Sequence, residues 1–237
     1  MSIFRKIKKK PANSDFEAFK SDITWFLNSN SKVEFQDQHE LRLNEDFRST
    51  FPELTNLIQK SRQTFLTIDS IDHIIFAWDT KDQQVCGWLN QQETCAEFKC
   101  ELIVEHELLL RNIGGIRESF NQPEDSFTNN QNFLFIGSKC SKGIGDWNDY
   151  YSTTCEEDEK DQIDYTNFIS FVYEANGALT LYEPKTKEVF LFSHDHSFEN
   201  VEFMENQPEY TFHRFKNARN FTQYVEEMAS QWNEIVA

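Results

Sequence analysis

Ser193-His194-Asp195-His196 sets two imidazoles and a carboxylate within four residues, all of them good ligands for a divalent metal. On a strand, however, His194 and His196 share one side while Asp195 points to the other. Two converging imidazoles do not complete a tetrahedral set. The cluster therefore reads as a polar strand end, and no metal or other cofactor is expected. Nucleophilic chemistry would need a thiol beside an imidazole, as Cys100 with His106 or Cys140 with His194. Folding, not sequence distance, sets such pairs, so the sequence does not bring either together. There is no Ser-centred nucleophile elbow, HExxH, P-loop or GxGxxG, and Gly143-Ile144-Gly145 reads as a tight turn. No catalytic residue is assigned, and an enzyme is not expected.

The stretch from Asp146 to Asp161 suits a different chemistry. Trp147, Tyr150 and Tyr151 can anchor an interface, while Asp146, Asp149, Glu156, Glu157, Asp158, Glu159 and Asp161 can steer a Lys- and Arg-rich partner. These ten residues are the candidate partner-binding set. Aromatic residues at helical spacing also suit a core, with the acids as a solvated face, and the sequence leaves both readings open.

Charge narrows the partner. Forty acids against twenty-three bases give −17 over 237 residues, a field that repels nucleic acid and anionic membrane and speeds encounter with a basic protein. Arg5, Lys6, Lys8, Lys9 and Lys10 form a basic leader without an apolar anchor, which reads as a solvated tail. It also lacks the apolar core of a secretory signal, so a cytoplasmic location is expected. The apolar runs at 74–78 and 168–173 fall far short of the roughly 20 residues a bilayer-spanning helix needs. Cys86, Cys95, Cys100, Cys140 and Cys155 are odd in number and include no CxxC, so reduced, largely buried thiols are expected.

Hydrophobic residues make up only 38%, but 23 phenylalanines supply a bulky core. Ser14-Asp15-Phe16-Glu17 has the form of a capping box, and Phe16, Phe19, Ile23, Phe26 and Leu27 then predict a helix over 15–28. Thr50-Phe51-Pro52-Glu53 signals a second, with Thr50 as its cap. Residues 73–79 and 84–89 predict a hairpin, 94–104 a third strand, and 105–113 a helix stopped by Gly114-Gly115. A polar loop at 121–130, a strand at 132–137 and a helix within 145–164 follow. Acids at that helix's C-terminus oppose the macrodipole, so the acidic run should leave the helix. Asn176-Gly177 between apolar runs is a strong hairpin signal. Strands at 188–193 and 200–204 extend it into a meander. Asn220 then caps a helix striped by Phe221, Tyr224, Val225, Met228, Trp232 and Ile235. The predicted class is α+β, an antiparallel meander covered by helices, with a helical N-terminal extension.

Several segments carry a resemblance to a known family: Leu108-Leu-Leu-Arg-Asn-Ile-Gly-Gly-Ile116, Phe133-Leu-Phe-Ile-Gly137, Phe171-Val-Tyr-Glu-Ala-Asn-Gly-Ala-Leu-Thr-Leu-Tyr182, Val189-Phe-Leu-Phe-Ser-His-Asp195, and the helix opening at Phe221. In this order they resemble the SUKH superfamily, shared by bacterial toxin-immunity proteins and a fungal cell-wall synthesis regulator. Ala178 stands where members commonly carry an acid. The resemblance covers about 100–237 and suggests residues 1–95 as a helical extension plus hairpin, either separate or part of the same domain, before a SUKH-like domain at 96–237. It implies a non-enzymatic binding domain whose partner is a cognate toxin, often a nuclease or deaminase, blocked at its active surface. The alternative is a scaffold or regulatory module for an endogenous partner.

Overall fold

A computed structural model describes residues 12–94, 96, 98–124, 126–195 and 200–237. The basic leader, Cys95 and His196 lie outside the described residues. Helices and antiparallel strands occur in comparable amounts, as an α+β fold requires.

The chain opens with α1 (Ala12–Asp22), β1 (Val33–Phe35), α2 (Glu45–Thr50) and α3 (Pro52–Lys60). Helix α1 starts before the expected Ser14 cap and stops at Asp22, ahead of Ile23, Thr24 and Trp25, which favour helix only weakly. Phe26 still folds back onto Phe19, with ring centroids 5.6 Å apart. The Thr50 signal marks the junction of two helices. Phe51 is the N-cap of α3 and provides no side-chain bond. Instead the Glu226 carboxylate, from the last helix, accepts from the backbone N–H groups of Glu53 at 2.9 Å and Leu54 at 3.1 Å. A charge at the positive end of α3 does the work of a cap.

Strands β2 (Arg62–Ile68), β3 (Ile71–Asp79) and β4 (Val85–Gln91) form an antiparallel meander. Asp69 and Ser70 join β2 to β3 with φ values of 51° and 68°, the two left-handed residues of a tight hairpin turn. Residues 94–104, expected as a strand, form none among those described. After α4 (Val104–Ile113) the chain returns as β5 (Gly115–Phe120), and this strand takes the place beside β4. The reversal requires Gly114, with φ 74° and ψ −178°. A Cβ there would lie 2.3 Å from the Gln91 carbonyl oxygen.

β6 (Gln131–Leu134), the short β7 (Ser141–Lys142), α5 (Asn148–Glu157), β8 (Ile169–Glu174), β9 (Leu179–Tyr182) and β10 (Val189–Phe192) follow. The expected strand at 200–204 is β11 (Val201–Phe203), but it is an edge. β12 (Phe212–Phe215) turns back between it and β10. Helix α6 (Phe221–Ile235) closes the chain, and the Asn220 side chain accepts from Gln223 N–H at 3.0 Å. The described strands make one antiparallel sheet in the order β1-β2-β3-β4-β5-β6-β8-β9-β10-β12-β11, with β7 on β8. It runs unbroken past residue 95, because β4 and β5 pair.

Both sheet faces are covered. Helices α2, α3, α4 and α6 fill the inner face, where Trp78, Trp88 and Trp232 meet with ring centroids 5.0 to 5.5 Å apart. The outer face has two separate cores, one beneath α1 on β2–β5 and one beneath α5 on β8–β12. Arg62 fastens α1 to the sheet. Its Nε and Nη2 reach the Asp15 carboxylate at 3.0 and 2.9 Å, and its Nη1 reaches Asp79 at 2.8 Å. Asp15 is only 2% exposed.

Candidate functional site

Helix α5 rises from a 3-10 turn at Gly145–Trp147 and lies on the outer face of the C-terminal strands. Tyr151 and Cys155 fasten it by burial against Phe192 and Phe212. The helix keeps Glu156 and Glu157, the first two acids of the run expected to leave it, and releases the rest from Asp158 onward. Glu159 adopts a left-handed φ of 54°, and Lys160 N–H reaches back to the Cys155 carbonyl at 2.8 Å, closing the last turn.

This arrangement divides the ten candidate residues. Asp146, Asp149, Glu156, Glu157, Asp158, Glu159 and Asp161 are all exposed, along the helix and the turns before and after it. Trp147 and Tyr150 are half-buried at its base. Trp147 Nε1 donates to the Gly177 carbonyl at 2.9 Å, and its ring stacks on His194 at 4.1 Å. Tyr150 donates its hydroxyl to the Tyr210 carbonyl at 3.2 Å. Tyr151 is a correction to the expected set, because it has no exposed surface. Its hydroxyl donates to Gln207 Oε1 and accepts from Ile163 N–H, and burial pushes its pKa up. Of the two readings open for the aromatic residues, Tyr151 follows the core and the acids follow the solvated face.

The imagined thiol–imidazole pairs are not assembled. His106 is fully buried, with Nε2 2.7 Å from the Phe135 carbonyl and Nδ1 3.3 Å from the Tyr182 hydroxyl, so both nitrogens are engaged. Burial pushes it down to about 4, against the pull of the Phe135 carbonyl. Cys140 donates to the Ile136 carbonyl within the inner core, whereas His194 stacks on Trp147 at the outer face. Burial raises the pKa of both Cys100 and Cys140, the reverse of what an attacking thiolate needs. Among the described residues no three His, Cys, Asp or Glu side chains stand together as metal ligands. Nor is any helix among them long and apolar enough to cross a membrane.

A second feature has no signal in the sequence. A cavity of about 530 Å³ opens between the end of α1 and the loop joining β5 to β6. Trp25, 72% exposed, stands at its wall with Asp22 and Glu118. Burial pushes the Glu118 carboxyl up to about 7, with Arg117 pulling it back. Glu118 shares a face of β5 with the buried Phe120, and the walls around it come from segments about a hundred residues apart, so no local spacing announced it.

No family model, curated protein or solved structure matches the chain.

Proposed function

We propose that this chain is an immunity-type binding protein that neutralises a basic effector of the nuclease or deaminase class by covering its active surface, without catalysis of its own. The carrying observation is the seven exposed carboxylates on α5 and the turns that flank it, in a chain of net charge −17. Such a surface accelerates encounter with a cationic protein and orients it. Trp147 and Tyr150, half-buried beside the acids, offer aromatic area that slows dissociation once contact is made. The helix is fastened through Tyr151 and Cys155, so the acids are presented from a rigid support. The segments that carry the resemblance to the SUKH superfamily fall in order on α4, β6, β8, β9, β10 and α6, and the cytoplasm is the compartment this reading requires.

The test is calorimetric titration of the chain with the product of the toxin-like gene adjacent to its own. Tight binding at low salt is expected, with an association rate that falls as salt rises. A variant carrying Asp149→Asn, Glu156→Gln, Glu157→Gln and Asp158→Asn should slow association by about tenfold or more while keeping the same unfolding midpoint, since its sites are exposed. Absence of binding at low salt to any product of a neighbouring gene would overturn the reading.

A further inference from the structure

We infer that the cavity between the end of α1 and the β5–β6 loop receives an arginine side chain from the basic partner. The inference rests on the proposed function only for what carries the arginine; the cavity's own chemistry can be tested without the partner.

Three observations converge on a planar cation. First, two carboxylates, Asp22 and Glu118, line the cavity, and no positive side chain does so among the described residues. Asp22 is held in place, since its Oδ2 accepts from Asn121 N–H at 2.9 Å. Second, Trp25 presents an exposed indole, the best of the side-chain faces for a cation. Third, three of the rim carboxamides are committed, Asn121 Nδ2 to the Val85 carbonyl at 2.7 Å, Gln122 Nε2 to Asn129 Oδ1 at 2.9 Å and Asn129 Nδ2 to the Glu124 carbonyl at 2.6 Å, whereas Gln131 is not. Its Oε1 and Nε2 are both buried without a hydrogen-bond partner. A buried amide left unpaired is costly, and a ligand that donates to Oε1 relieves part of the cost.

Guanidinium fits this set better than ammonium. It is planar, stacks on an aromatic face and carries five donors in a fixed fork, enough to reach a carboxylate and an amide oxygen together. The volume, about 530 Å³, falls in the range of small-molecule pockets, so it admits a guanidinium together with the water around it. The occupant is taken as part of a protein because the field of a −17 chain draws a basic macromolecule toward it.

Protonation of Glu118 should control occupancy. The charged and titratable groups near it are Asp22 from α1 and Arg117 on its own strand, with Leu89 opposite on β4 and Gln131 and Asn132 from β6. With its pKa at about 7, Glu118 is largely neutral at pH 6 and largely ionised at pH 8. Affinity for a cation should therefore rise about tenfold between those pH values.

The experiment titrates N-acetyl-arginine methylamide into the full chain, labelled with nitrogen-15, while following the Trp25 indole N–H. N-acetyl-citrulline methylamide, of the same shape but uncharged, is the control, and methyl glucoside tests for a neutral polyhydroxy ligand. A saturable shift with the arginine probe is expected, at least about tenfold weaker with the citrulline probe. Glu118→Gln should weaken arginine binding by about tenfold at pH 8 and abolish its pH dependence. Trp25→Ala, an exposed site, should weaken it without unfolding, read by the backbone N–H resonance of Asn121, which bonds to Asp22 at the cavity wall. Equal binding of citrulline, stronger binding of the glucoside, or an arginine affinity unchanged in Glu118→Gln would each overturn the inference. If the arginine probe fails while a basic effector still binds, the cavity assignment falls and the proposed function stands. If the probe binds but no effector does, the reverse holds.

Discussion

Replacing Arg62 with methionine keeps an aliphatic stem of similar reach and removes the group that fastens α1 to the sheet. The guanidinium makes two hydrogen bonds at 3.0 and 2.9 Å to Asp15 and one at 2.8 Å to Asp79. Asp15, 2% exposed, is then a carboxylate with no counter-charge in a low-dielectric setting. Breaking a buried pair from one side costs about 3–5 kcal/mol. Asp15→Asn keeps the shape and part of the hydrogen bonding, and leaves Arg62 25% exposed and still paired to Asp79. That variant should cost less, about 1–2 kcal/mol. The decisive measurement is the double variant. With both charges gone no buried charge is left unpaired, so Arg62→Met with Asp15→Asn should be no less stable than Arg62→Met alone. Urea unfolding of the four proteins gives the cycle, and hydrogen exchange over α1 shows whether the loss is local or global. Additive losses, or a cost below about 1 kcal/mol for Arg62→Met, would refute the argument that this pair is strongly coupled through burial.

His106 is held neutral by burial, at about 4 when folded against about 6.5 when unfolded. A depressed imidazole contributes stability that is full above pH 6.5 and is lost as pH falls toward 4, by about 3 kcal/mol. His106→Gln should therefore show a shallower loss over that window in urea unfolding at a series of pH values. Glu118 has the opposite sign: its folded pKa is raised to about 7, so its ionisation opposes folding as pH rises through 7. Glu118→Gln should gain stability relative to the parent at pH 8 and lose that advantage at pH 5. At Gly177, φ is 93° and a Cβ would lie 2.9 Å from Trp147 Cζ2. Gly177→Ala should lower stability by about 1–3 kcal/mol and change the near-ultraviolet signal of Trp147.

Legibility followed the range over which each signal acts. The Asn176-Gly177 turn, the α4 stop at Gly114 and the Asn220 cap are set by a few adjacent residues, and all three were readable. Asp69-Ser70 forms an equally tight turn with weaker turn residues, so β2 was missed. β12 carries Phe212, His213, Arg214 and Phe215, and its strand character comes from neighbours β10 and β11 on either side. The same distinction divides the candidate surface. The acids' exposure follows from their charge, whereas Tyr151 could be assigned only once Phe192 and Phe212 had closed over it. Glu226 at the head of α3 and the walls around Glu118 depend on residues far apart in the chain, and no single-sequence spacing encodes them.

The pairing of β4 with β5 makes the first ninety-odd residues indispensable to the remainder. A protein shortened to residues 96–237 would present β5 as a raw border with its backbone donors and acceptors bare. It would also strip Trp232 of both neighbouring indoles and leave α3's contact surface on α6 open. Such a fragment should self-associate, so any attempt to isolate the acidic helix with its sheet has to retain the strands that precede residue 95.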